Sequence, residues 1–105
     1  AKVLAPYLAA SASLTKILVG HNGLGDEGTT VLCDALRESK VTRVQELDLS
    51  DNFIGPEGAK AVASMAAAIG SLTLLDVRYA SSMGEEGKAA LREAVRGRSG
   101  FKLLL

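Results

Sequence analysis

The chain has 105 residues, 48% of them hydrophobic but only 4% aromatic and none Trp, so its core has to be filled by Leu, Val, Ile and many Ala. Twelve Lys plus Arg balance twelve Asp plus Glu, which leaves no field to draw in a polyanion and argues against nucleic acid as a partner. The single cysteine, Cys33, excludes an internal disulfide and a cysteine-based zinc cluster, and no apolar run approaches the roughly 20 residues of a membrane span.

Residues 1–13, AKVLAPYLAASAS, have the lysine, apolar centre and small-residue end of a signal peptide, but the stretch is too short and its basic part too slight. The same residues lie without a gap on a later stretch, AKVLAPYLAASASL against AKAVASMAAAIGSL (residues 59–72). We therefore read them as the helix of a truncated repeat, with Ala1, Leu4, Ala5 and Leu8 facing inward.

Three units follow. LTKILVGHNGLGDEG (residues 14–28) aligns with VQELDLSDNFIGPEG (residues 44–58), and LTLLDVRYASSMGEEG (residues 72–87) aligns with both after one extra residue near Ser81 or Ser82. Each opens with apolar residues at its first, fourth and sixth places: Leu14, Ile17 and Val19; Val44, Leu47 and Leu49; Leu72, Leu75 and Val77. That is the L-x-x-L-x-L signature of one short strand per unit, whose alternate side chains point to opposite sides.

After each strand a G-x-x-G leads into an Ala-rich helix. Glu27, Glu57 and Glu86 stand just before the second glycine, where a carboxylate favours the positive end of a helix. Leu32, Cys33 and Leu36 recur as Val62, Ala63 and Ala66, a narrow stripe toward the sheet. Neither strand nor helix can bury its apolar face within its own unit, so the units must stack. Helices about 10 Å wide on strands about 4.8 Å apart bend the stack into an arc.

The run LDLSDNFIGPEGAKAV (residues 47–62) resembles the L-D-L-S-x-N-x-I-G-x-E-G-A-x-A-L pattern of ribonuclease-inhibitor-type leucine-rich repeats, shared by NOD-like receptors and Ran GTPase-activating proteins. The resemblance covers essentially the whole chain. It implies an α/β leucine-rich-repeat solenoid, a short horseshoe arc with a parallel sheet on the concave face and helices on the convex face. The expected divisions are a truncated helix (1–13), repeats at 14–43, 44–71 and 72–100, and a terminal strand (101–105). The tail EEGKAALREAVRGRSGFKLLL resembles the natural ends of such proteins, so a genuine C-terminus and a cut N-terminus are expected. Lys88, Arg92 and Arg96 form a charged stripe suited to a last repeat facing water.

Several residues suggest chemistry when taken alone. The loop Gly23-Leu24-Gly25-Asp26-Glu27-Gly28 is a literal G-x-G-x-x-G, but Asp26 and Glu27 repel a pyrophosphate and the matching loop of the next unit keeps only the two repeat glycines. His21, the lone histidine, lacks the partners of a triad or metal site. Cys33 sits on the inward stripe and is expected to be buried and inert. Asn22 and Asn52 recur as a ladder satisfying backbone groups in successive turns, which Ala80 interrupts with a looser turn. No catalytic residue, cofactor or metal is expected.

The inner face of the sheet remains. Its rows run Lys16, Glu46, Leu74, Leu103; then Leu18, Asp48, Asp76, Leu105; then Gly20, Ser50, Arg78; then His21, Asp51, Tyr79. Asp48 beside Asp76 is a repulsion that either Arg78 or a basic partner can relieve, and Arg78 and Tyr79 are residue types common at binding hot spots. The expectation is a non-catalytic, cytoplasmic module that binds a protein partner through Lys16, Leu18, His21, Glu46, Asp48, Asp51, Leu74, Asp76, Arg78 and Tyr79. The alternatives are self-association through an uncovered N-terminal edge at Val3, Tyr7 and Val31, or regulation of a GTPase.

Overall fold

The computed structural model describes residues 15–39 and 43–105; the expected first helix, with Val3 and Tyr7, lies outside them. Strands β1 (Lys16–Leu18), β2 (Glu46–Asp48), β3 (Leu74–Asp76) and β4 (Lys102–Leu104) form one sheet in chain order, and every pairing is parallel. Parallel neighbours need long crossovers, which are supplied by helices α1 (Gly25–Glu38), α2 (Pro56–Ala68) and α3 (Gly84–Ala94). Helix α1 packs on α2 and α2 on α3, giving a two-layer solenoid.

The layers meet on the residues that the repeat places inward. Ile17, Leu47 and Leu75 are buried in one row, and Val44, Leu49, Leu72 and Val77 are buried beside them. Leu32, Cys33, Leu36, Val62, Ala63, Ala66 and Leu91 close the core from the helices. Burying each of the larger side chains contributes about 2 kcal/mol of transfer free energy. Two glycines set how closely the turns and helices approach: a Cβ at Gly58 would lie 2.5 Å from Asp26 Oδ1, and one at Gly87 would lie 3.0 Å from Ala59 Cβ and 2.2 Å from Met83 Cγ.

The register of β1, β2 and β3 is as expected: Lys16 with Glu46 and Leu74, Leu18 with Asp48 and Asp76. That of β4 is not. Leu75 pairs with Leu103, which brings Lys102 and Leu104 into the concave rows in place of Leu103 and Leu105. A one-residue slip exchanges the faces of a strand, and here it sends Leu103 and Leu105 to pack against the core. The extra residue of the third unit forms a short 3-10 turn, Ser81–Met83.

Polar groups fasten one unit to the next. The buried Asn52 carboxamide accepts from the backbone N–H of Asn22 (2.9 Å) and Leu24 (3.2 Å) and donates to the carbonyls of Val19 (2.8 Å), Leu49 (3.1 Å) and Ser50 (3.2 Å). Asp26 Oδ1 accepts from Gly55 N at 2.6 Å, so an acid from one unit caps the helix start of the next. Arg98 donates to Ala66 O, Ile69 O (2.8 Å) and Leu72 O (2.7 Å), satisfying carbonyls around the end of α2. Its guanidinium stacks 4.9 Å from the Phe101 ring.

Asn52 and Asn22 occupy the same place in successive units but not the same surroundings. Asn22 is exposed, and among the described residues its side chain donates only to Gly20 O (3.0 Å). Asn52→Ala strands buried backbone groups on both units and should cost about 3 kcal/mol, whereas Asn22→Ala should cost about 0.5 kcal/mol. Urea unfolding of the two variants measures the difference, and equal losses would contradict this account of the ladder.

Candidate protein-interaction face

The concave side is built from the strand residues that do not enter the core and from the turn that follows each strand. The ladder continues past the strands, with Val19 N donating to Asp48 O (3.0 Å), His21 N to Ser50 O (3.0 Å), Leu49 N to Asp76 O (2.8 Å) and Asp51 N to Arg78 O (2.9 Å). Expected neighbours therefore do meet. Lys16 Nζ lies 3.1 Å from Glu46 Oε2, and His21 Nδ1 lies 2.5 Å from Asp51 Oδ2.

Asp48 and Asp76 face each other across β2 and β3, and each is occupied within its own unit. Asp48 Oδ1 accepts from Ser50 N (2.9 Å) and Ser50 Oγ (2.6 Å). Asp76 Oδ1 accepts from Arg78 N (3.0 Å) and Nε (3.1 Å), while its Oδ2 accepts from Arg78 Nη2 (2.9 Å). A carboxylate two residues before a backbone N–H thus recurs, and in the third unit a two-pronged guanidinium contact reinforces it. These hydrogen bonds from Arg78 hold the Asp76 carboxyl below its ordinary pKa despite partial burial.

With its acids paired internally, the face also offers apolar groups. Leu18 is 71% exposed and Tyr79 72% exposed, with the Arg78 guanidinium 5.9 Å from the Tyr79 ring. His21, Asp51 and Tyr79 all take positive φ (58°, 53° and 62°) at the same place in their units. That conformation costs a side-chain-bearing residue about 1 kcal/mol, and it turns the three side chains to the rim where the strands end. Phe53, also at positive φ (56°) and exposed, joins this rim.

The sequence reading did not reach three members of the face. Lys102 and Leu104 were hidden by the terminal register, and Phe53 stands where the first unit has Gly23, a departure from the repeat that was the available signal. Of the groups suspected of chemistry, Cys33 is fully buried, and desolvation followed by the nearby Asp34 charge pushes its thiol up to about 12, which makes it a poor nucleophile. The G-x-G-x-x-G loop is occupied by the contact from Asp26 to the next unit. No group of three or more His, Cys, Asp or Glu able to hold a metal occurs among the described residues.

A parallel sheet of one short strand per repeat, backed by one helix per repeat, defines an α/β solenoid. The family model for Leucine Rich repeat matches residues 10–33 and 42–63, and the chain is a leucine-rich-repeat protein of the ribonuclease-inhibitor-like type. It is similar to the NACHT, LRR and PYD domains-containing protein 3 of Macaca mulatta and of Homo sapiens, each 32% identical over 92 residues, 88% of this chain and 9% of theirs. RAN GTPase-activating protein 2 of Arabidopsis thaliana is 30% identical over 89% of this chain and 17% of its own length. The chain thus spans a small part of these relatives. Among solved structures, Leiomodin-1 Actin-Binding Site 2 shares the fold with a TM-score of 0.73 and 19% identity, over 98% of this chain and 57% of that one.

Because Asp76 is held in its charged form by Arg78, its stabilising effect is complete above the ordinary carboxylate value of about 3.9 and is lost as pH falls through the lower folded value. Arg78→Gln removes the guanidinium but leaves the desolvation, so the Asp76 carboxyl should titrate at higher pH. A carbon-detected NMR titration of that carboxyl reads the shift; an unchanged midpoint would show that Arg78 does not hold it.

Proposed function

We propose that the chain is a non-catalytic protein-interaction module whose concave face receives a protein partner at Lys16, Leu18, His21, Glu46, Asp48, Asp51, Leu74, Asp76, Arg78 and Tyr79. The observation that carries the reading is the pairing pattern of that face. Its acids already have partners within the fold, while Leu18 and Tyr79 stand out into solvent. Aromatic and aliphatic side chains within a ring of paired polar groups are what a partner's apolar anchors need.

The alternative of GTPase activation through an arginine gains nothing from the geometry. Arg78, on the concave face, is engaged by both oxygens of Asp76, a commitment that suits a scaffold better than a mobile catalytic finger. A cytoplasmic setting goes with the same reading: the cysteine is unpaired and buried, as is usual in a reducing compartment. No helix among the described residues is long and apolar enough to cross a membrane.

Leu18→Ala and Tyr79→Ala remove contact surface without removing a hydrogen bond. Affinity capture from a lysate, followed by titration of the recovered partner, should show the Tyr79 variant weakened by about 2 kcal/mol, roughly thirty-fold. The convex-side control Glu93→Ala should bind like the wild type. Unchanged recovery by both concave variants would remove the concave face from the proposal.

A further inference from the structure

The second and third units place the same carboxylate on the concave face and complete it differently. Asp76 Oδ1 accepts from the backbone N–H of Arg78 and from its Nε (3.1 Å), while Oδ2 accepts from Nη2 at 2.9 Å. Asp48 Oδ1 accepts from the backbone N–H of Ser50 and from Ser50 Oγ at 2.6 Å. The serine hydroxyl thus stands where the guanidinium Nε stands one unit later, and nothing takes the place of Nη2. Among the described residues Asp48 Oδ2 has no hydrogen-bond partner.

Charge divides in the same way. Glu46 meets Lys16, Asp51 meets His21 and Asp76 meets Arg78, whereas Asp48 forms no ion pair among the described residues. Arg78 is near enough to sense the Asp48 charge, but its side-chain hydrogen bonds go to Asp76.

The surroundings of Asp48 leave room for a cation from outside. Residues 20, 50 and 78 form one row past the strand ends, tied by the bonds from His21 N to Ser50 O and from Asp51 N to Arg78 O, and Gly20 brings no side chain to it. A Cβ at Gly20 would lie 2.9 Å from Ser50 Oγ and 3.3 Å from Asp48 Oδ1, so the glycine keeps the β1 side of that pair uncovered. Leu18, the exposed β1 partner of Asp48, sets an aliphatic surface beside the carboxylate, which suits the methylene stem and charged end of a long basic side chain. Ser50 Oγ spends its proton on Asp48 and keeps its capacity to accept. Two neighbouring acceptors match the fork of a guanidinium better than the single point of an ammonium.

Building on the concave-face function proposed above, we infer that an arginine of the partner protein docks at Asp48 and Ser50. Its guanidinium donates to Asp48 Oδ2 and Ser50 Oγ, taking the part that Arg78 plays for Asp76, and its stem lies along Leu18.

The probe is the peptide acetyl-Leu-Arg-amide, titrated into the full chain and followed by amide chemical shifts. The Ser50 and Gly20 amides should shift to saturation, and a peptide with citrulline for arginine should bind about ten-fold more weakly or worse. Asp48→Asn keeps an oxygen to accept from Ser50 but removes the charge, and should weaken the arginine peptide by a similar factor with far-UV circular dichroism unchanged. Arg78→Ser gives the third unit the Asp-x-Ser pattern of the second and should add a second responding amide at position 78. No saturable shift at Ser50, equal affinity for the citrulline or a lysine peptide, unchanged binding to the Asp48→Asn protein, or no added response with Arg78→Ser overturns the inference. Lysate capture separates it from the concave face itself. A partner lost on Tyr79→Ala but kept by Asp48→Asn retains the face and overturns the arginine site; a partner kept by Leu18→Ala, Tyr79→Ala and Asp48→Asn overturns both.

Discussion

The carboxamide of Asn52 is buried between two turns and bonded to the backbone of both, and the stacking of the first two units depends on it. Strands of three residues have too few ladder bonds to fix their own position, and a turn packed against its neighbour leaves backbone groups that water cannot reach. One amide with two donors and two acceptor lone pairs meets that demand at a fixed distance. Unit spacing, strand register and the direction of the turn side chains follow from it.

The third unit solves the same problem without an asparagine. Ala80 takes the place, the chain inserts one residue, and the 3-10 turn Ser81–Met83 lets Met83 N donate to Ala80 O at 3.0 Å. Arg98 then ties the end of α2 to the chain that leads into β4. A local turn has replaced the asparagine, while Arg98 keeps the second and third units joined. On the concave face the acids are likewise paired within the fold, so under the proposed reading a partner would meet a surface already organised rather than one that must reorganise on contact.

Much of this was legible in the sequence because the repeat obeys two periods at once. Ile17, Leu47 and Leu75 fixed the core row, and the residues between them fixed the concave rows, since alternate strand residues must point apart. The terminal strand escaped for the same reason. In FKLLL, leucines at 103, 104 and 105 satisfy alternation in either register, and only the pairing with β3 decides which side each faces. Asp26 and Arg98 were missed on different grounds. Their partners lie 29 and about 30 residues away, and neither residue recurs in the other units, so periodicity carries no trace of them.

The central claim is that successive units stack in parallel with Ile17, Leu47, Leu75 and Leu103 in a single inward row. Methyl-to-methyl nuclear Overhauser effects in a selectively labelled sample test it most directly. The account requires contacts from Ile17 to Leu47, from Leu47 to Leu75 and from Leu75 to Leu103; contacts from Leu75 to Leu104 in place of Leu103, or no contact between Ile17 and Leu47, would contradict it.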